Sequence, residues 1–563
     1  MEIVINAARK IQSSIGAALI FFTVQVTQAQ NATWSSSPGS GDWNTASNWV
    51  PMTVPTNTAT FATSTQTAIS ISANTTVEEI AFDANGNAYT ITATPAFILT
   101  ISGAGITNNS GVTQNFVTAV DGGGNAGFIL FTNSATAGSS TNFTNNGGIV
   151  FDSSASAGSG TFTNSGGITF SPNSSAGSGT FTNNGSGVSG MLGGRTTFQG
   201  DASAANGTFT NNGGTVSGAF GGQTFFTDGH VGNGSATFIM NGSAVSGGGG
   251  GSIIFQGTST ADTATLIANG GANGGEGGLI IFIDGSAGGT ARAEIFGNGA
   301  LDVASRINSG VTIGSIEGDG DIFLGSRSDA LTVGSNNLST TFSGVIHDGF
   351  RGGGGGTGGA VAKIGTGTLT LSGANSYTGA TTVNAGKLIV NGSITSAVTV
   401  NGGTLGGSGT TGGVTVNNGG TLSPGSSPGI LHVAGNLALT LGATYLVDLN
   451  GAAVGTEYDQ TQVSGMVSLG NATLSLSLGF TAPVGTMFSI IDNDLGDPVS
   501  GTFNGLGEGA TFSSGGQTFI ISYQGGTGND VVLTAVVPEP QIYALLSLGL
   551  LLLAFRRLIQ IKA

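Results

Sequence analysis

The chain of 563 residues contains no cysteine. Disulfides, thiolate metal sites and thiol nucleophiles are thereby excluded. Charge is scarce as well: 7% of residues are Asp, Glu, Lys or Arg, against about 25% in ordinary globular proteins. Only 12 residues are basic against 28 acidic, for a net charge of −16. Setting aside Arg9, Lys10, Arg556, Arg557 and Lys562 near the termini leaves seven basic residues in the body. That is too few for a patch that neutralises phosphates, so nucleic acid is not an expected partner. Histidine is equally thin. His230, His347 and His432 stand far apart and none falls in an HExxH or similar ligand spacing, which argues against a zinc site or a histidine triad.

Glycine, by contrast, is abundant, at 104 residues. Glycine at this level can signal disorder, but disordered chains usually carry high charge, and here Phe, Val, Ile and Leu recur regularly. Order is therefore expected. The longer apolar runs lie at the two ends. Arg9 and Lys10 precede an apolar stretch from Ile15 to Val24, and Thr27-Gln28-Ala29 offers the small-residue pattern of a signal-peptidase site. Cleavage is expected after Ala29, making the chain an export substrate. At the other end, Ile542 to Phe555 is 14 residues without charge, reaching roughly 21 Å as a helix, short of the roughly 30 Å hydrocarbon core. Arg556 and Arg557 would snorkel to the headgroups and mark that end as cytoplasmic. Val537, Pro538, Glu539 and Pro540 precede it, and prolines there leave an extended, accessible peptide.

Pro538-Glu539-Pro540, an apolar stretch and Arg556-Arg557, in that order, resemble the PEP-CTERM sorting signal of Gram-negative bacteria. The resemblance implies that a membrane-embedded exosortase recognises Val537 to Pro540 with Arg556 and Arg557, removes the tail, and releases or transfers the body outside the inner membrane.

The body is repetitive. "FTNNGGIVFDSSASAGSGT" from Phe143 is followed by "FTNSGGITFSPNSSAGSGT" from Phe162, a period of 19, and related units then open at Phe181, Phe209, Phe238 and Leu266 with spacings of 28 or 29 residues. In Thr161-Phe162-Thr163 the alternation points Phe one way and both threonines the other, and the Asn-Gly pairs that follow read as positive-φ turns. One such strand cannot bury its phenylalanine. Stacking Phe143, Phe162, Phe181 and Phe209 along an axis can, with rungs about 4.8 Å apart and each buried ring worth roughly 1.5–3 kcal/mol. The expected fold is all-β: a right-handed parallel β-helix, or β-solenoid, with a C-terminal β cap domain and a short C-terminal transmembrane-like helix. Whether each longer unit holds one coil or two is left open by the spacing.

"GTGTLTLSGANSYTGATTVNAGKLIVNGS", from Gly365 to Ser393, resembles the autotransporter-associated β-strand repeat of surface-exposed passenger domains. The autotransporter's translocating barrel has no counterpart after Thr534, so self-translocation is not implied. The expected divisions are 1–29, signal peptide; 30–135, an N-terminal cap containing Trp34, Trp43 and Trp49 with the first rungs; 136–360, the Gly/Asn/Thr-rich solenoid; 361–444, the passenger-like repeat; 445–536, the β cap; and 537–563, the sorting signal. The clustered tryptophans read as a hydrophobic cap, with stacking on sugar rings as the functional alternative.

Three surface features compete for function. Thr161 and Thr163, Thr180 and Thr182, and Thr208 and Thr210 would form two ranks of hydroxyls and methyls on a flat face able to bind a polysaccharide or an ice lattice, although threonine also favours strands for steric reasons alone. Glu317, Asp319 and Asp321 in "EGDGDIF" form the densest acidic group and would serve a polysaccharide lyase, or more plainly solvated turns. "GGTGNDVV" from Gly525 fits a calcium-binding nonapeptide, but one copy supplies half a site, so Asp530 is expected to close a turn and no cofactor is required. The expected function is that of an exported, non-enzymatic surface or matrix protein with a structural or adhesive role. Its expected partners are the export machinery, exosortase, the membrane before processing, and extracellular polysaccharide.

Overall fold

The structure is a computed structural model that describes residues 29–227, 234–304, 310–325, 330–353, 355–426, 428–494, 496–537 and 549–557. The signal segment before Ala29, His230 and Pro538-Glu539-Pro540 lie outside the described residues. Ala29 is exposed, and the first strand begins at Ala32.

The body is wound as a stack of parallel rungs. A first face is a 15-stranded sheet that opens at Trp49–Val50 and Ala32–Trp34 and runs to Val345–His347. A second face runs without a break from Ala68–Ile71 to Thr473–Leu478, every neighbouring pair parallel. A third side is narrow at first, marked by single bridges that link Thr136, Ser156, Ser175 and Ser203. From Thr312–Ile313 to Val467–Ser468 it widens into an eight-stranded sheet. Where the first face ends, a nine-stranded sheet begins at Ala374–Asn375 and takes over, with Ile346 N–H donating to Asn375 Oδ1 at 3.1 Å.

Side-chain size explains this change in cross-section. Between residues 116 and 282 the core consists of two phenylalanine columns. Phe116, Phe143, Phe162, Phe181, Phe209 and Phe238 stack on the second face with ring centroids 4.6–5.0 Å apart. Phe131, Phe151, Phe170, Phe198, Phe226, Phe255 and Phe282 stack on the first face at 4.6–5.1 Å. The two columns meet edge to face, as in Phe151–Phe162 at 5.9 Å and 78°. Rings this large leave room on the third side only for Ala135, Ala137, Ala155 and Ala157, all fully buried. Further on, where the core residues are Val383, Leu388, Val400 and Leu405, the smaller side chains admit a third sheet.

The register resolves the uneven repeat lengths. Phe162 pairs with Phe181 across 19 residues and Phe181 with Phe209 across 28, so short and long units are each one coil. The additional residues, in segments 184–194, 212–222, 241–251 and 269–278, leave the coil between a second-face and a first-face strand and stack on one another as a flange. Gly218 N–H donates to Gly247 O at 2.8 Å, and Gly247 N–H to Gly274 O at 3.1 Å. Glycine is needed here because of close approach: a Cβ on Gly250 would stand 2.0 Å from Gly277 O.

The Asn-Gly corners differ from the expectation of positive-φ turns. Asn145, Asn164, Asn183 and Asn211 point inward and are completely buried, and none of them has positive φ. Each carboxamide donates to the next: Asn145 Nδ2 to Asn164 Oδ1 at 2.8 Å, Asn164 to Asn183 at 2.7 Å, and Asn183 to Asn211 at 2.7 Å. Identical side chains in register can hydrogen-bond along the axis, so the corner is held by a ladder of amides and needs no strained backbone.

Both ends are closed. Trp34, Trp43 and Trp49 are buried and pack around Phe61, with Trp43–Trp49 at 4.9 Å and Trp49–Phe61 at 5.5 Å. Their burial overturns the sugar-stacking alternative, because none offers a ring face to solvent. At the far end Met487–Asn493 leaves the parallel ladder and pairs antiparallel with Asp530–Val536, which pairs with Gln517–Gly525, which pairs with Thr511–Ser514. This turns the last open rung into hairpins. Residues 549–557 are helical, with Leu550 to Leu553 and Phe555 exposed. Among the described residues no helix is long and apolar enough to cross a membrane.

Candidate functional site

The six threonines lie where the alternation puts them. Thr161, Thr180 and Thr208 form one outward rank, continued by Thr237 and Thr265; Thr163, Thr182 and Thr210 form the other, preceded by Thr144 and followed by Ile239 and Ile267. All six point away from the phenylalanine column, and Phe162, Phe181 and Phe209 between them are buried. Arg292, Glu294 and Glu317 end the face with charges: Arg292 pairs with Glu317 and lies 3.2 Å from Glu294.

The acidic run at 317–321 is divided by a corner. Glu317 belongs to the threonine face. Asp319 accepts Gly297 N–H at 2.8 Å and closes a turn, while Asp321 stands on the first face. A period-two alternation interrupted by a bend sends neighbours in sequence to different sides of a coil. The three acids therefore do not form one catalytic group.

A cleft that sequence reading missed lies on the first face, with the flange as its wall. Its floor is a column of outward side chains in register: Phe225, Ile254, Ile281, Asp302, Phe323 and His347. Toward the C-terminal end it opens into a cavity of about 680 Å³ lined by Glu276 from the flange, Leu279, Asp302, Asp321 and Phe323 from the floor, and Arg351 from a glycine-rich loop. Arg351 anchors this loop to the flange by donating to Gly277 O at 3.2 Å, with Glu276 3.9 Å away. His347 Nε2 lies 2.9 Å from Asp321 Oδ1, and the imidazole stacks on Phe323 with centroids 5.2 Å apart. Burial raises the pKa of Asp302, opposed by a hydrogen bond from Ala304 N–H and by the Arg351 charge. Farther along, Arg195 covers the Phe225 ring at 4.3 Å, and its pKa is lowered by burial. The cleft was missed because its residues are spread over three rungs spaced 21 and then 24 residues apart, with no local motif. Only the rung register could have revealed it.

Asp530 closes the Gly525 turn. Its Oδ1 accepts Asn493 N–H and its Oδ2 accepts Thr527 N–H, both at 2.9 Å. Both oxygens are thus engaged by backbone donors, and among the described residues no three acidic or histidine side chains converge as a metal site. The residues present do not fit a calcium ion. Val537 is exposed at the end of the body, and Arg556 and Arg557 are exposed on the terminal helix.

Rung order, register and caps define a parallel β-solenoid. Residues 361–390 match the model of the Passenger-associated-transport-repeat family, overlapping the stretch whose resemblance to passenger repeats is given by its sequence. No curated protein matches the chain. Among solved structures the chain is similar to the Hap adhesin of Haemophilus influenzae at 10% identity and a TM-score of 0.26, covering 85% of this chain and 64% of that one. At so low a TM-score nothing further about this chain follows from that likeness.

Proposed function

We propose that the protein is an exported, non-enzymatic β-solenoid that serves as a structural or adhesive element at the cell envelope or in the extracellular matrix. The observation that carries this is a parallel ladder closed at both ends. The second face has eighteen strands, roughly 80 Å at about 4.8 Å per step. Such a body holds its ends apart without depending on a ligand, and its capped edges resist end-to-end addition. A right-handed winding accords with the strong preference of parallel crossovers. The tail from Val537 onward, through Pro538-Glu539-Pro540 to Arg556-Arg557, is assigned to exosortase sorting, with transient residence in the inner membrane.

Fractionation and the intact mass of the purified protein test this. Loss of the tail near Pro538 to Pro540, with the body outside the cell, is the expected result; a full-length chain in the membrane fraction would refute the sorting assignment. A second use, binding of polysaccharide or ice through the threonine face, is favoured by the in-register ranks of Thr161, Thr180 and Thr208 and of Thr163, Thr182 and Thr210. Replacing Thr163, Thr182 and Thr210 by lysine should abolish lattice or polymer binding if that face is used, and leave a pure spacer unaffected.

A further inference from the structure

The cleft beside the flange has features that a spacer does not need, and the inference drawn from it goes beyond the role proposed above. Glu276, Asp302 and Asp321 supply carboxylate acceptors, Arg351 supplies a forked donor, and Phe323 and Leu279 supply an apolar floor, all around one cavity of about 680 Å³. That volume lies within the range of ligand pockets, and convergent polar groups over an apolar surface are their usual make-up. The cleft is also continuous with the first face. From Phe225 to His347 the outward column crosses five rung steps, about 24 Å at roughly 4.8 Å each. The flange stands along the first part of this column, and the Arg351 loop bounds the cavity at the far end.

Charge narrows the class of occupant. Three carboxylates face a single guanidinium in the cavity, and the whole chain carries −16, so a polyanion is repelled. Sugar hydroxyls are both donors and acceptors, and can satisfy carboxylates and a guanidinium together. The C–H face of a pyranose also suits an exposed aromatic ring. We propose that this cleft binds an uncharged polysaccharide lying along the solenoid axis, with hydroxyls held by Glu276, Asp302, Asp321 and Arg351 and a sugar face on Phe323. The site is separate from the threonine ranks, which occupy the second face.

The test is calorimetric titration of the purified full chain with six-residue oligosaccharides of β-glucan, xylan and α-mannan, alongside polygalacturonate and a lysine-rich peptide. Saturable binding of at least one neutral oligosaccharide is expected, with no binding of polygalacturonate. Asp321→Ala and Arg351→Ala should each weaken it at least tenfold, and Thr182→Lys should leave it unchanged. Should Arg351→Ala lower the melting temperature, Asp321→Ala, at a partly exposed side chain, carries the test. The proposal is overturned if no neutral oligosaccharide binds, if only the peptide or the polyanion binds, or if affinity survives Asp321→Ala. It is overturned equally if Thr182→Lys abolishes binding, which would move the site to the threonine face. None of these outcomes depends on where the protein is sorted.

Discussion

Replacing Asn164 probes how the corner of the solenoid is held. Its carboxamide accepts from Asn145 Nδ2 at 2.8 Å, donates to Asn183 Oδ1 at 2.7 Å and accepts Gly166 N–H at 3.1 Å. Every partner retains another bond when Asn164 is removed. Asn145 Nδ2 also donates to Gly167 O, Asn183 Oδ1 also accepts from Thr196 Oγ1, and Gly166 N–H also donates to Asn145 O. Asn164→Ala therefore loses three net hydrogen bonds at roughly 1 kcal/mol each without leaving a partner wholly unpaired, a cost of about 3 kcal/mol. Asn164→Asp behaves differently. At neutral pH it sets a buried carboxylate against the Asn183 carbonyl oxygen, an acceptor facing an acceptor, and should cost more than alanine. When protonated it can donate to Asn183 and still accept from Asn145, so its stability should recover as pH falls. The assay is urea unfolding followed by far-UV circular dichroism at pH 7 and pH 4. Amide exchange across 161–183 would localise the loss, because long repeat arrays need not unfold in one step. Stability of Asn164→Ala within about 0.5 kcal/mol of the parent, or an Asp variant indifferent to pH, would refute the amide ladder as the device that holds this corner.

Other perturbations test other parts. Asp459 is fully buried and accepts Gly429 N–H at 2.8 Å and Asp448 N–H at 2.9 Å, yet burial pushes its pKa up to about 6. The native state thus holds this proton more tightly than the unfolded chain, so the group's contribution is present below about pH 4 and is lost as pH rises through 6. The urea midpoint should fall between pH 4.5 and 7, and Asp459→Asn should narrow that difference; an unchanged pH profile in the variant would sink the assignment. Lys363 points into the core between Val333 and Val383 and donates to Ile364 O at 2.6 Å and Gly365 O at 3.1 Å. Lys363→Met should destabilise by about 1–3 kcal/mol through orphaned carbonyls, and an unchanged or higher melting temperature would show those carbonyls to be satisfied otherwise. The three tryptophans should emit at short wavelength and resist acrylamide quenching until the chain unfolds, whereas ready quenching in the native state would contradict the buried cap.

The sequence made legible whatever one strand repeats in the next. Phe143, Phe162, Phe181 and Phe209 could be placed inward because a period of two fixes their side and a period of 19 fixes their neighbours, and the outward threonines followed. Side-chain roles set between rungs were harder to read. An Asn before Gly has the same letters whether it turns the chain or joins a ladder, and only stacking shows that Asn145, Asn164, Asn183 and Asn211 do the latter. Length alone could not tell a long coil from two short ones, because the flange residues leave the rung without disturbing its register. The acids of 317–321 misled for the opposite reason, since adjacency along the chain is not adjacency around a coil. The cleft required the register of rungs whose spacing is irregular, so Asp302, Asp321 and His347 had no common pattern to announce them.

The unequal coils have a mechanical consequence. Rung-to-rung hydrogen bonds run along the axis, so a pull applied to the two ends of the body separates coils one after another. Each coil contributes about 4.8 Å of height while folded. Drawn out, a 19-residue coil spans about 65 Å and a 28-residue coil about 95 Å. The body is therefore an extensible tether whose slack is stored in discrete steps of two sizes, and a surface bound through it could retreat from the cell by many times the folded height before the chain became taut.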